Sequence, residues 1–306
     1  MGLFKKEKID ETAAKKELWT KDDEKYFFER YSQSGSNKPE YLVDQAYSLF
    51  AQNALKDIYL YDAVLRILDR YISDFPNDKT VRAPALYLAG RVYQDRGNTD
   101  KMFEFFKRAA EAEMENPEKI VGAGLDYAEQ VVKCGRTELL DEAERYIGHY
   151  FKDKLGSPLL TYHVGAILTA IAEKKGDTEK QRYYKGHADA ALNEIASIDK
   201  KARYVKIIKV KNLNIALIDE IRLFMIENGF EVVEYNDMFL WQKKGFGCFY
   251  NAIIEPAFDV IVVIASLLMH AGAGFIETGL EGFVAITSKK PMKKIIDNFE
   301  EKFTGR

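Results

Sequence analysis

Cysteine is nearly absent from this chain. Only Cys134 and Cys248 occur among 306 residues, far apart and in different expected domains. A disulfide scaffold is excluded on that count, and a reducing compartment is expected. Histidine is almost as scarce. His149, His163, His187 and His270 lie scattered, none with a second histidine or cysteine at ligand spacing, so no metal centre is expected. Neither sign of charge dominates: 45 basic residues meet 48 acidic ones, and a net charge of -3 argues against a general nucleic-acid binder. Phosphate loops are missing too. Gly122-Ala123-Gly124 and Gly272-Ala273-Gly274 lack the third glycine at the required offset, and no Lys-Ser/Thr pair follows. There is no G-x-S-x-G elbow. The start, MGLFKKEKIDE, has no apolar stretch of the signal-peptide kind, and Lys6 stands where a myristoylation signal needs Ser or Thr. These absences lead to the expectation of a cytoplasmic, non-enzymatic protein with no cofactor and no metal.

No apolar run reaches the length of a membrane-spanning helix. The longest uncharged one, Val260–Ile276, would span about 26 Å as a helix, short of the roughly 30 Å of hydrocarbon. Ser266, His270, Gly272 and Gly274 interrupt it. Its first half, Val260 to Ile264, reads as a strand buried on both faces, with Gly272 and Gly274 as a turn. A membrane-contacting segment and a core helix are the other two readings.

What is present is repetition. Gly97-Asn98-Thr99-Asp100, Gly135-Arg136-Thr137-Glu138 and Gly176-Asp177-Thr178-Glu179 recur roughly every 40 residues. Glycine closes a helix in the left-handed conformation, the next residues include Thr or Asp to accept orphan amides, and the acid suits the positive end of a new helix. Each stretch therefore predicts helix, turn, helix. Apolar residues at helical spacing flank the turns: Ala85, Leu86, Ala89, Gly90 and Tyr93 before the first, Met102, Phe103, Phe106, Ala109 and Ala110 after it. Leu125, Ala128, Val131 and Val132, then Leu140, Ala143, Tyr146 and Ile147, flank the second; Ala166, Thr169, Ala172, Tyr184 and Ala188 flank the third. An earlier copy shows in Ala51, Ala63 and Ile67, ending at Phe75-Pro76. Thr20 with the acids after it predicts a further helix start, carrying Tyr26, Phe27, Phe28 and Tyr31, before a loop from Ser32 to Pro39.

Leu86, Gly90, Tyr93, Phe106 and Ala109 follow the large-small-aromatic-aromatic-alanine order of tetratricopeptide repeats, and residues 41–198 resemble that family. The spacing is nearer 40 than the family's 34, and the last copy keeps little of the motif. The resemblance implies packing roles for most of these residues. It also implies a partner-binding groove lined by the first helix of each pair. Here that would be Gln45, Ser48 and Gln52; Tyr87, Arg91 and Gln94; Leu125, Glu129 and Lys133; and His163, Ala166 and Glu173.

The pattern changes near Asp199. Tyr204 to Val210 predicts a strand, and Asn212 a cap for a helix over 213–228 with Ile215, Ile218, Leu223 and Ile226 among its apolar residues. Gly229 stops it. FEVVEYND and MFLWQKK predict a hairpin turning at Asn236-Asp237. GFVAITSKK predicts another strand, and Pro291 opens a last helix bearing Met292, Ile295, Ile296, Phe299 and Phe303. The Leu280–Val284 stretch with its paired-lysine helix is similar to C-terminal segments of small bacterial proteins, a likeness that implies no activity. Two helices cover one face of such a sheet, so the other needs the repeats, a second copy, a partner or lipid. Two basic stretches, Lys200, Lys201, Arg203, Lys206, Lys209 and Lys211, and Lys289, Lys290, Lys293 and Lys294, are solvated faces or together an anion-holding surface.

The chain is thus expected to be multidomain and mainly α. A charged helical segment and loop (1–40) precede tetratricopeptide-like hairpins (41–198) and a small α+β domain (204–306). The expected role is a scaffold that binds a protein partner through the groove, its α+β domain docking on a second partner or on itself as a homo-oligomer. The alternative is a peripheral protein touching lipid through residues 260–276 and the nearby lysines. An enzyme site around Glu255, Asp259 and His270 is the remaining class.

Overall fold

The computed structural model describes residues 19–33, 38–53, 60–116, 120–151, 157–197, 204–211, 213–235, 238–244, 248–271, 274–278 and 286–305. Helices dominate, followed by an antiparallel sheet. The chain divides into two compact units, 1–131 and 132–306.

The first unit holds α1 (Lys21–Gln33), α2 (Lys38–Asn53), α3 (Leu60–Asp74), α4 (Arg82–Asp95), α5 (Thr99–Glu115) and most of α6 (Ala123–Lys133). Consecutive helices α2 to α5 pack on one another. Thr20 starts α1 as a reciprocal cap: Asp23 N–H donates to Thr20 Oγ1 at 3.2 Å while Thr20 N–H donates to Asp23 Oδ2 at 3.0 Å. Phe27 and Tyr31 are buried, and Tyr26 is not. Glu24 accepts both arms of Arg66 from α3 at 2.6 and 2.9 Å, which ties α1 to α3. Pro39 does not lie in a loop; it occupies the first turn of α2, where a missing amide costs nothing. Ala51 is exposed, whereas Ala63 and Ile67 are core.

The turns behave as their glycines require. Gly97, Gly135 and Gly176 take φ of 69, 67 and 72°. At the first, Asn98 N–H reaches back to Tyr93 O at 2.9 Å and Gly97 N–H to Gln94 O at 3.0 Å, satisfying two helix-end carbonyls. The cap residue is the one after glycine, not the threonine: Asn98 accepts from Lys101 N–H and Asp177 from Lys180 N–H. At the middle turn that position is Arg136, which cannot accept. There a 3-10 turn, Thr137–Leu139, precedes the α-helix.

The second unit takes in α7 (Leu140–Phe151), the hairpin of α8 (Pro158–Lys175) and α9 (Thr178–Ala196), and everything after it. Lys175 bridges Asp141 and Glu144 at 2.6 Å each, and Lys180 also meets Glu144, which pins α7 to α8 and α9. Six strands follow: β1 (Tyr204–Lys209), β2 (Glu231–Tyr235), β3 (Met238–Lys244), β4 (Cys248–Ala257), β5 (Val260–Ala271) and β6 (Gly274–Thr278). Their order is β1-β5-β4-β3-β2, and β6 continues along the β5 edge beyond β1. Between β1 and β2 runs α10 (Ile215–Glu227), and α11 (Ile286–Phe303) closes the chain.

The uncharged run is therefore a strand, central and long. Strand side chains alternate between faces. Ile261, Val263 and Ala265 lie with Ile208, Tyr250 and Ala252 beneath Leu217, Phe224, Met292 and Phe299 of the two late helices. Val260 and Val262 lie with Ala257 on the opposite face against Tyr162, Ala188, Ala191 and Ile195 of α8 and α9. The second face is thus closed from within the chain, and Val260 to Val263 are at most 3% exposed. No helix among the described residues is long and apolar enough to cross a membrane.

Two readings need correction. Asn214, not Asn212, caps α10, accepting from Leu217 N–H at 2.9 Å. The last helix begins at Ile286, so Ile286 to Lys290 are helical rather than strand and Pro291 lies inside the helix. Ile218, Leu223 and Ile226, among the apolar residues of α10, are exposed. The turn residues Asn236-Asp237 and Gly272-Ala273 fall outside the described residues, although Tyr235 pairs with Met238 as the hairpin requires.

Candidate functional site

The outward strip of α4 is narrow, because Ala83, Ala85, Leu86, Leu88, Ala89, Gly90 and Val92 are all buried. Tyr87, Arg91 and Gln94 are among the residues left part-exposed, at i, i+4 and i+7, and so on one face. Tyr87 Oη donates to Asp126 Oδ2 of α6 at 2.8 Å. Arg91 Nη1 donates to Tyr87 Oη at 3.1 Å and lies 3.7 Å from the same Asp126 oxygen. From α2, Tyr47 Oη donates to Pro84 O at 3.3 Å. The polar cluster thus links α4 and α6, while α2 is tied separately to the start of α4.

Its electrostatics are set by partial burial. Burial, then the Asp126 charge, pushes the Tyr87 hydroxyl well above the usual phenol range, so it stays a donor. Burial alone would weaken the Arg91 cation, but Tyr87 and Asp126 outweigh it and hold the guanidinium charged. Burial pushes Tyr47 up to about 12, against the pull of Arg91. Two side-chain donors here, Gln45 Nε2 and Arg91 Nε, are buried without a hydrogen-bond partner.

The other expected groove residues are placed differently. Ser48 Oγ turns back onto its own helix, donating to Asp44 O at 2.9 Å. Gln52 lies in α2, and its side chain is outside what is described. Leu125 and Glu129 are buried at 8% each, so neither stands outward as the helix count predicts. Lys133 Nζ donates to the carbonyl of Leu213, within the second unit. His163 is half-buried, Ala166 packs on the cluster under β5, and Glu173 is exposed near the end of α8. Gln45, Tyr87, Arg91 and Gln94 belong to the first unit, and Lys133, His163 and Glu173 to the second.

Asp126 was not singled out by sequence, yet a signal exists. Tyr61 Oη donates to Asp95 and Tyr31 Oη to Asp74, as Tyr87 does to Asp126. Tyrosine and aspartate recur together at separations of 34, 43 and 39 residues, close to one repeat.

Elsewhere the chemistry is internal. The Gly122–Gly124 amides do form an anion cradle, but its anion is Glu113, whose carboxylate accepts from Val121, Gly122, Ala123 and Gly124 N–H at 2.6 to 3.3 Å. Tyr162 Oη donates to Asp259, which leaves that carboxylate engaged in joining α8 to the β4–β5 turn. Burial raises the Glu255 carboxyl, and the His270 side chain is outside the described residues. The two basic stretches meet where Lys206 pairs with Glu300 at 2.7 Å and Lys293 sits over the Tyr204 ring, interleaved with acid. Among the described residues no group of three or more His, Cys, Asp or Glu could hold a metal ion. The chain matches no protein-family model, no curated protein and no solved structure.

Proposed function

We propose that the chain is a tetratricopeptide-like interaction protein whose first unit binds an extended segment of a partner protein along α2, α4 and α6. The observation that carries this reading is the Tyr87–Arg91–Asp126 cluster. Hydrogen bonds between helices hold these groups in fixed positions, which lowers the ordering cost of binding. Arg91 Nε and Gln45 Nε2 are buried, whereas the Arg91 guanidinium as a whole is part-exposed. It offers the carbonyl or carboxylate oxygens of a bound chain a charged donor. Gln94 extends the same strip.

The test compares capture from cell lysate by the full chain and by Arg91→Ala/Gln94→Ala. The double variant is expected to stay folded, since both side chains are partly exposed, and to lose its specific prey. Hydrogen exchange of the wild-type complex should slow over 38–53, 82–95 and 123–133. A prey retained equally by the double variant, or protection confined to other helices, would sink the proposal.

A further inference from the structure

We propose that a second copy of this chain docks on the open edge of the sheet at β2 and on the adjoining flank of α10. Among the described residues β2 has β3 on one side and no strand on the other. An unpaired edge is a template for another strand unless charge, proline or a bulge blocks it. This edge has neither proline nor bulge, its charges are the two glutamates Glu231 and Glu234, and it presents Val232 at 55% exposure.

Val232 pairs with Trp241, which packs into the core beneath α10 and α11, so Val232 lies on the helix-covered side. Lys243 Nζ donates to Asn228 O at 2.6 Å, which sets the end of α10 over β3. Phe224 points toward α11, where it meets Phe299 and Phe303. The other flank of α10 therefore faces away from α11. That flank carries Ile218 and Ile226, eight residues apart on one helical stripe, with Leu223 beside them, exposed at 36, 54 and 57%. The charged residues of α10, Asp219, Glu220, Arg222 and Glu227, leave these three as its exposed large apolar side chains.

A second copy fits better than a foreign partner because the surface is self-complementary. Antiparallel pairing of β2 with itself about Val233 sets Glu231 against Tyr235 and Val232 against Glu234, so no two acids oppose. The same dyad brings α10 beside α10, burying Ile218, Leu223 and Ile226 mutually. Arg222 lies 3.6 Å from Asp219 on that helix, so an exchange of partners across the dyad leaves neither charge uncompensated.

Light scattering of the full chain over a dilution series tests this. Wild type should show twice the 35.1 kDa chain mass, falling to one chain on dilution. Leu223→Glu/Ile226→Glu and, separately, Val232→Lys change exposed residues only, and should give folded monomers. Amide exchange in wild type should be slower for 218–226 and 231–235 at high concentration than at low. Wild type that stays at one chain mass overturns the proposal and points to a foreign strand-bearing partner. A folded variant that remains dimeric, or exchange in those segments indifferent to concentration, overturns it as well.

Discussion

At Gly90 a single methyl group is too much. A Cβ there would stand 2.4 Å from Phe106 Cδ1, inside a helix pair whose backbones are held close by that aromatic ring. Gly90→Ala should therefore lower stability by about 1–3 kcal/mol, the usual range for overpacking, read as a lower melting temperature of the full chain. Gly97→Ala tests something else. Nothing lies within 4 Å of its would-be Cβ, and only the left-handed backbone resists, by about 1 kcal/mol. Equal losses at the two positions would show that Phe106 yields. Both glycines were legible in sequence, one as the small residue before an aromatic, the other as a turn. Glu113 was not: its partners are four backbone amides, and a pattern of side chains carries no record of them.

Between α3 and α4 the connection is organised by one carboxylate. Asp78 accepts from Tyr71 Oη at 2.7 Å, Thr80 Oγ1 at 2.6 Å, and the amides of Thr80 and Val81. Burial alone would raise its pKa, but these donors prevail and lower it. The sign follows from linkage. A carboxylate depressed in the folded state adds stability above its unfolded value, about 3.9, and loses it as pH falls through the folded one. The melting temperature of wild type should thus drop below about pH 4. Asp78→Asn should be less stable at neutral pH and show a shallower acid fall; an unchanged acid limb would mean other carboxylates set it. Elements differ in how much sequence reveals of them. The β2–β3 hairpin and β5 were readable by period and β-branching. β4 was missed, since Asn251, Glu255 and Pro256 break its apolar pattern. The exposure of the outer flank of α10 was not legible, because isoleucine spacing tells which residues share a stripe, not which stripe is covered.

For the molecule as a whole, the sheet of the second unit is the centre of a three-layer arrangement, with α10 and α11 on one side and α8 and α9 on the other. Aspartate at Val263 or at Val262 should then be equally damaging, because each replaces a side chain no more than 3% exposed and leaves a charge without a partner, a loss of several kcal/mol, of order 3 or more. Loss of the cooperative melt in both variants is expected. A folded Val262→Asp protein would show that α8 and α9 do not seal their face. Sequence alone did not choose among the repeats, a second copy, a partner and lipid as the cover of the second face, because the hairpin that covers it, α8 and α9, carries the same turn signature as the helices before it.

That cover has a consequence for synthesis. Tyr162 and Asp259, joined in the finished protein, are 97 positions apart. At about 5–20 residues per second, roughly 3–13 seconds separate the end of the hairpin at Ala196 from the start of the strand at Val260. Through that interval Tyr162, Ala188, Ala191 and Ile195 face the cell uncovered, so stalled nascent chains ending shortly after α9 should recruit holdase chaperones that chains extended past β5 no longer hold.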